Sequence, residues 1–163
     1  MITCLRGGKT YNSKVKFARF GLIYQPQVGV NDVTKDINVL YRAIRKQLAS
    51  GKQGEAGLKP ISGSFICTMD TINDALKVLE ESIKVTKLEN VKIFICCNAT
   101  DVYNETTGKY EMEGAKGQYE SSQMVDYYVK FLNDHPLIAY LEDPMANIDL
   151  TGWNLITVSS KYI

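Results

Sequence analysis

Two adjacent carboxylates, Glu142 and Asp143, close the apolar run 137–141 and are followed by Pro144. A short apolar run reads as a buried strand, and α/β barrels place metal ligands and catalytic groups at the C-terminal ends of such strands. Alone, Glu-Asp-Pro says little. Its weight comes from what precedes it at consistent distances: Gly7-Gly8 after a first apolar segment and Gly108-Lys109-Tyr110-Glu111-Met112. Lys9 and Arg19 are cations able to receive an oxyanion, although solvated surface charge is the plainer reading of both. A lone carboxylate rarely suffices for Mg²⁺, so Glu142 reads first as part of a strand-end turn whose carboxylates accept backbone N–H groups. His135 precedes Pro136 at a helix end, where a cationic side chain complements the dipole, and is read as structural. The lysine-rich segment 51–59 lacks the Gly-Lys-Ser/Thr ending of a phosphate loop.

The elements that must position these groups follow from periodicity. Residues 1–5 and 15–24 read as strands, the second ended by Pro26. Val33, Ile37, Leu40, Ile44 and Leu48 fall at three- and four-residue steps, predicting a helix over 32–49 capped by Asn31 or Asp32. Residues 51–63 read as a loop and 64–68 as a short extended piece. Ile72, Ala75, Leu76, Leu79 and Ile83 predict a helix over 71–85, opened by Thr71 and Asp74. Residues 91–97 form a strand buried on both faces. Residues 101–118 read as a loop or small hairpin. A helix over 121–133 has Met124, Tyr128 and Phe131 inward and Ser121 as cap. A strand over 137–141 and a short helix over 150–156, with Asp149 as cap and Trp153 as core anchor, complete the chain.

Composition bounds the rest. The chain has 163 residues, enough for one domain, and a net charge of +1. That balance gives no reason to expect nucleic acid as a partner, and no apolar run approaches a membrane span. Cys4, Cys67, Cys96 and Cys97 are read as buried free thiols of a reducing compartment. Neighbouring residues on a strand point to opposite faces, so Cys96-Cys97 is not a zinc pair. The order strand, strand, helix, helix, then strand, helix, strand, helix implies parallel strands with crossover helices. A closed barrel takes about 250 residues, so this α/β chain supplies roughly the first half of one, as a single partial domain over 1–163.

In that order and in its motifs the chain resembles the C-terminal barrel domain of enolase. Arg6-Gly7-Gly8-Lys9-Thr10-Tyr11 stands at the family's Asn-Gly-Gly-Ser-His-Ala loop, and Phe17-Ala18-Arg19-Phe20 at its Gln-Glu-Phe. Residues 98–103 and 108–112 resemble Ala-Ser-Glu-Phe-Tyr and Gly-Lys-Tyr-Asp-Leu. His135-Pro136 and Glu142-Asp143-Pro144 resemble Tyr-Pro and Glu-Asp-Pro. Enolases convert 2-phosphoglycerate to phosphoenolpyruvate with a Lys base and two Mg²⁺ ions that hold the doubly charged intermediate.

Carried over residue by residue, the resemblance implies a degenerate site. Thr10 stands at the loop His, Arg19 at a carboxylate, Ser62 at the catalytic Glu, and Cys96 at the first metal Asp. Glu142 is the vestigial metal carboxylate. Glu55 lies near Ser62 in sequence, in surroundings that do not match. The third metal Asp, the Lys base and the phosphate-binding residues belong to later strands.

The expectation is therefore a catalytically inactive scaffold without cofactor. Protein partners or further chain would cover its open barrel edges. Its location is cytoplasmic and, by likeness to degenerate enolase domains of sperm and flagella, axonemal. Two alternatives stand beside it: a fragment of an active, Mg²⁺-dependent phosphopyruvate hydratase, and a small anion-binding module around Lys9 and Arg19.

Overall fold

The computed structural model describes residues 1–51, 58–113 and 117–159. Glu55 and residues 160–163 lie outside them. The elements in chain order are β1 (Ile2–Arg6), β2 (Arg19–Tyr24), α1 (Val30–Ala49), β3 (Pro60–Ile61), β4 (Ser64–Ile66), α2 (Ile72–Thr86), β5 (Val91–Cys96), β6 (Tyr103–Asn104), β7 (Lys109–Glu111), β8 (Gln118–Tyr119), α3 (Ser121–Asp134), β9 (Ile138–Glu142) and α4 (Leu150–Ser159).

Six strands form one sheet in the order β3-β4-β1-β2-β5-β9, and β6, β7 and β8 form a second, small one. β2 runs antiparallel to both neighbours, whereas β1 with β4 and β5 with β9 are parallel. This is the expected α/β architecture: a strand pair opens it, strand–helix units follow, and the described residues do not close a barrel.

Strand alternation sorts the sheet into two faces. Val91, Ile93 and Ile95 of β5 and Cys97 just after it join the main core, while Phe94 and Cys96 are buried outside it. The core face packs Leu5, Phe20, Leu22 and Ile138 with Leu40 and Ile44 of α1, Leu76 and Leu79 of α2, and Tyr128 and Phe131 of α3. Phe17 stacks on Tyr128 (6.1 Å, 17°) and meets Phe131 edge-on. Fully burying side chains of this size contributes about 1.5–3 kcal/mol each, which makes this face the source of the fold's stability. On the other face Phe94 lies over Gly21, where an added Cβ would sit 2.5 Å from its ring. The same Cβ would sit 2.0 Å from the Ile2 carbonyl oxygen, so only a glycine fits between strand and ring.

Several boundaries differ from the periodicity. β2 begins at Arg19 rather than residue 15 because Val15 and Ala18 accept from the backbone of Gly8 and Gly7 instead of joining a ladder. α1 starts two residues early, with Gly29 as N-cap and neither Asn31 nor Asp32 in that role. Thr71 does cap α2: its Oγ1 accepts from Asp74 N (3.1 Å) and donates to Asp74 Oδ2 (2.8 Å). Glu120, not Ser121, caps α3, and its own N–H is held by Gln123 Oε1 at 2.9 Å. Pro60–Ile61, read as loop, is a strand paired with the extended piece that begins at Ser64, and the stretch 101–118, read as a loop or small hairpin, holds the hairpin β6–β7 joined by a third strand, β8. Among the described residues no helix is long and apolar enough to cross a membrane.

Candidate functional site

The sheet register sets one row of side chains. Arg6 pairs with Arg19, Arg19 with Cys96, and Cys96 with Glu142. Residues directly opposite one another share a face, so all four project from the face that the helices leave free. They lie at the C-terminal ends of β1, β5 and β9 and at the start of the reversed strand β2. Backbone bonds fix these ends: Ala18 N donates to Cys96 O (2.9 Å), Cys97 N to Glu142 O (2.8 Å) and Ala99 N to Asp143 O (3.0 Å). Asp143 takes a left-handed conformation (φ 48°), which turns the chain sharply after β9.

Arg19 draws the row together. Its Nη2 donates to Glu142 Oε2 at 3.1 Å and to Cys96 Sγ at 3.4 Å. Neither partner of the ion pair is sealed off, with side chains 41% and 33% exposed. The hydrogen bond to Cys96 foremost, and the charges of Glu142 and Asp143 behind it, raise the Arg19 pKa against the opposing effect of burial. Burial pushes the Cys96 thiol up, over the pull of Arg19. One polar atom each from Cys96, Glu142 and Asp143 lies within 4.8 Å of the others.

Mg²⁺, which the enolase resemblance implies, does not fit these donors. It demands hard oxygen ligands in near-octahedral array. Here one donor is the sulfur of Cys96, a soft and poor partner for Mg²⁺. The nearest carboxylate already faces a guanidinium. The reading of Glu142 as an acceptor of backbone N–H groups is corrected too, because its carboxylate accepts from the Arg19 guanidinium. Arg19 is equally more than solvated surface charge.

Arg6, next in the row, gathers the neighbouring loops. Its Nε donates to Ser64 Oγ (2.7 Å) and its Nη1 to Tyr11 Oη (3.5 Å). Thr10 and Lys9 are exposed on the single helical turn Lys9–Tyr11 after β1. Ser62 is exposed at the turn entering β4, with φ 46°, at the other end of that strand from Ile66 beside Arg6. The structure therefore assembles Arg19, Cys96 and Glu142, and no described contact brings Thr10 or Ser62 to them. His135 has the structural place expected, its Nδ1 3.0 Å from Glu80 Oε1 and its ring against Phe131. The four cysteines are free and buried, and burial holds Cys4 and Cys67 up at about 12. A cavity of about 400 Å³ between α1 and α2 is lined by Gln47, Leu48, Asp74 and Lys77 and by residues 68–70 after β4, and includes neither Arg19, Cys96 nor Glu142.

One cluster was legible only in part. Asp149 Oδ2 accepts from Tyr110 Oη (2.6 Å) and Ser121 Oγ (2.7 Å), and its Oδ1 accepts from Gly152 N (2.8 Å). Ala146 N donates to Tyr110 Oη (3.0 Å), and Trp153 Nε1 donates to Ala146 O (2.9 Å). This node ties β7, α3 and α4 to the loop after Glu142. In the sequence Asp149 reads as the cap of α4 and Trp153 as a core anchor. The spacing of Gly-Lys-Tyr to Gly-Trp was visible, but not that Tyr110 and Ser121 share one carboxylate.

Comparison with known proteins agrees with this geometry. The profile of the enolase C-terminal TIM barrel domain matches residues 1–162. Enolase of Rubrobacter xylanophilus is 28% identical over 156 residues, which cover 94% of this chain and 35% of that protein. Enolases of Methanococcus maripaludis and Methanococcus aeolicus are 25% and 24% identical, covering 38% and 37% of their lengths. The chain thus spans little more than a third of the relatives it matches. These matches correct the expectation of a non-enzyme, since the relatives bear the name of the enzyme itself.

Proposed function

The chain belongs to the enolase C-terminal barrel family, and from that premise we propose that it forms the opening part of the barrel of a phosphopyruvate hydratase-type lyase. Such an enzyme interconverts 2-phosphoglycerate and phosphoenolpyruvate by removing a proton beside a carboxylate and expelling water. The observation that carries this reading is the row itself. Arg19, Cys96 and Glu142 stand side by side at the strand ends where barrel enzymes build their sites, on the face the helices leave open. In this reading the chain contributes one wall of the cleft, and the proton-transferring base comes from strands beyond it.

The partner follows from the sheet. β9 is an edge strand carrying the half-exposed Tyr140, and unpaired edges invite another strand. Further barrel chain pairing with β9 is the partner proposed, in a single domain to which residues 1–163 contribute, and four buried free thiols suit a cytoplasmic setting. The test is to purify the native species, measure its intact mass, and follow phosphoenolpyruvate absorbance with 2-phosphoglycerate. Turnover above control, lowered by Glu142→Gln, supports the proposal. A native species holding a complete barrel that shows no turnover sinks it.

A further inference from the structure

We infer that the guanidinium of Arg19 takes the position of a divalent cation in this cleft, so that this wall carries its positive charge on a tethered side chain rather than on a bound metal. The inference rests on the family reading above, which says where a cation is expected. What fills that place is read from the side chains.

Three groups that could hold a cation converge within 4.8 Å: Cys96, Glu142 and Asp143. Arg19 is placed against them by register, as the direct neighbour of Cys96 across the β2–β5 ladder. One nitrogen, Nη2, serves both Glu142 Oε2 and Cys96 Sγ. A metal ion at the focus of these donors would stand against that nitrogen, and like charges at such range repel strongly outside bulk water. The donor set is altered in the same sense. A thiol accepts a weak hydrogen bond from a guanidinium without having to ionise, whereas a metal would require the thiolate. Residues 19 and 96 thus act in the same sense: β2 supplies a cation, and β5 offers a thiol where a hard anionic ligand would be needed. The resulting charge does not depend on divalent ions, and it persists across the working pH range because guanidinium does not deprotonate there.

Metal binding by the whole chain tests this without any use of turnover, so failure of the lyase reading leaves the measurement intact. Mn²⁺ retention is followed by paramagnetic resonance, and Co²⁺ by the absorption of a cobalt–thiolate bond. Wild type is expected to retain neither ion beyond its Glu142→Gln variant. Arg19→Gln is expected to bind Co²⁺ at least tenfold more tightly, with the thiolate band, and to lose that gain on adding Glu142→Gln. Arg19→Met keeps the apolar stem and repeats the test if the amide variant melts early. The inference is overturned if wild type binds Mn²⁺ through Glu142. It is equally overturned if neither folded Arg19 variant binds Co²⁺ better than wild type, since the cup would then not be a cation position.

Discussion

Two carboxylates, Glu142 at the end of β9 and Asp149 ahead of α4, join distant parts of the chain, and they do so in opposite ways. Asp149 is 6% exposed and takes two hydroxyls and a backbone N–H. Glu142 is a third exposed and meets a single guanidinium nitrogen. The first is a satisfied buried node, where losing one partner strands others without water. The second is an open ion pair, which water and salt can replace. The difference teaches which carboxylate holds the fold and which is available to the cleft.

Breaking the node is expected to have the largest effect. Asp149→Ala leaves Tyr110, Ser121 and the Gly152 N–H without their shared acceptor, and should cost about 3 kcal/mol by the usual penalty for unsatisfied buried groups. Urea denaturation of variant and wild type measures it. A loss under half that size would mean that water reaches the node. Gly152→Ala approaches the same carboxylate from the other side. Its Cβ would press on Asp149 and on the Met145 methyl, and overpacking of this kind costs about 1–3 kcal/mol.

The node also has a pH signature. Burial alone would raise the Asp149 pKa, but the hydrogen bonds from Tyr110, Gly152 and Ser121 outweigh it and hold the carboxyl below the usual range. A depressed folded-state value contributes stability above the unfolded value, about 3.9 for Asp. That contribution is lost as pH falls through the folded value. The stability gap between wild type and Asp149→Asn should therefore be full at pH 6 and shrink below about pH 4. Denaturation midpoints of both proteins across that interval decide it, and a gap that widens on acidification would contradict the assignment.

How much of this the sequence showed differs between the same two regions. The row was nearly legible, because β5 and β9 are apolar runs whose ends are marked by Cys96 and Glu142, and strand alternation then fixes their faces. What pattern could not show was the register that sets Arg19 beside both, since β2 was read four residues too long at its start. The node was less legible. Ser121 reads naturally as a cap because hydroxyls favour that position, but Glu120 and Gln123 satisfy the helix start and release Ser121 for Asp149. Long-range hydrogen bonds leave no period in a sequence, which is why the resemblance carried the motif while its purpose waited for the fold.

The smallest effect is expected at the ion pair. Arg19→Met removes the guanidinium but keeps an apolar stem beside Cys96. Glu142 remains a third exposed and can recruit water, so no charge is stranded in a dry interior. Exposed pairs contribute about 0.2–1 kcal/mol, and the thiol bond adds little because sulfur accepts weakly. The melting temperature should fall by no more than a few degrees, and less in 0.5 M salt, where about a 4 Å Debye length screens what remains. A large, salt-independent loss would instead put Arg19 with Asp149 among the residues that hold the sheet together. It would then no longer be a side chain the cleft can spare for another anion.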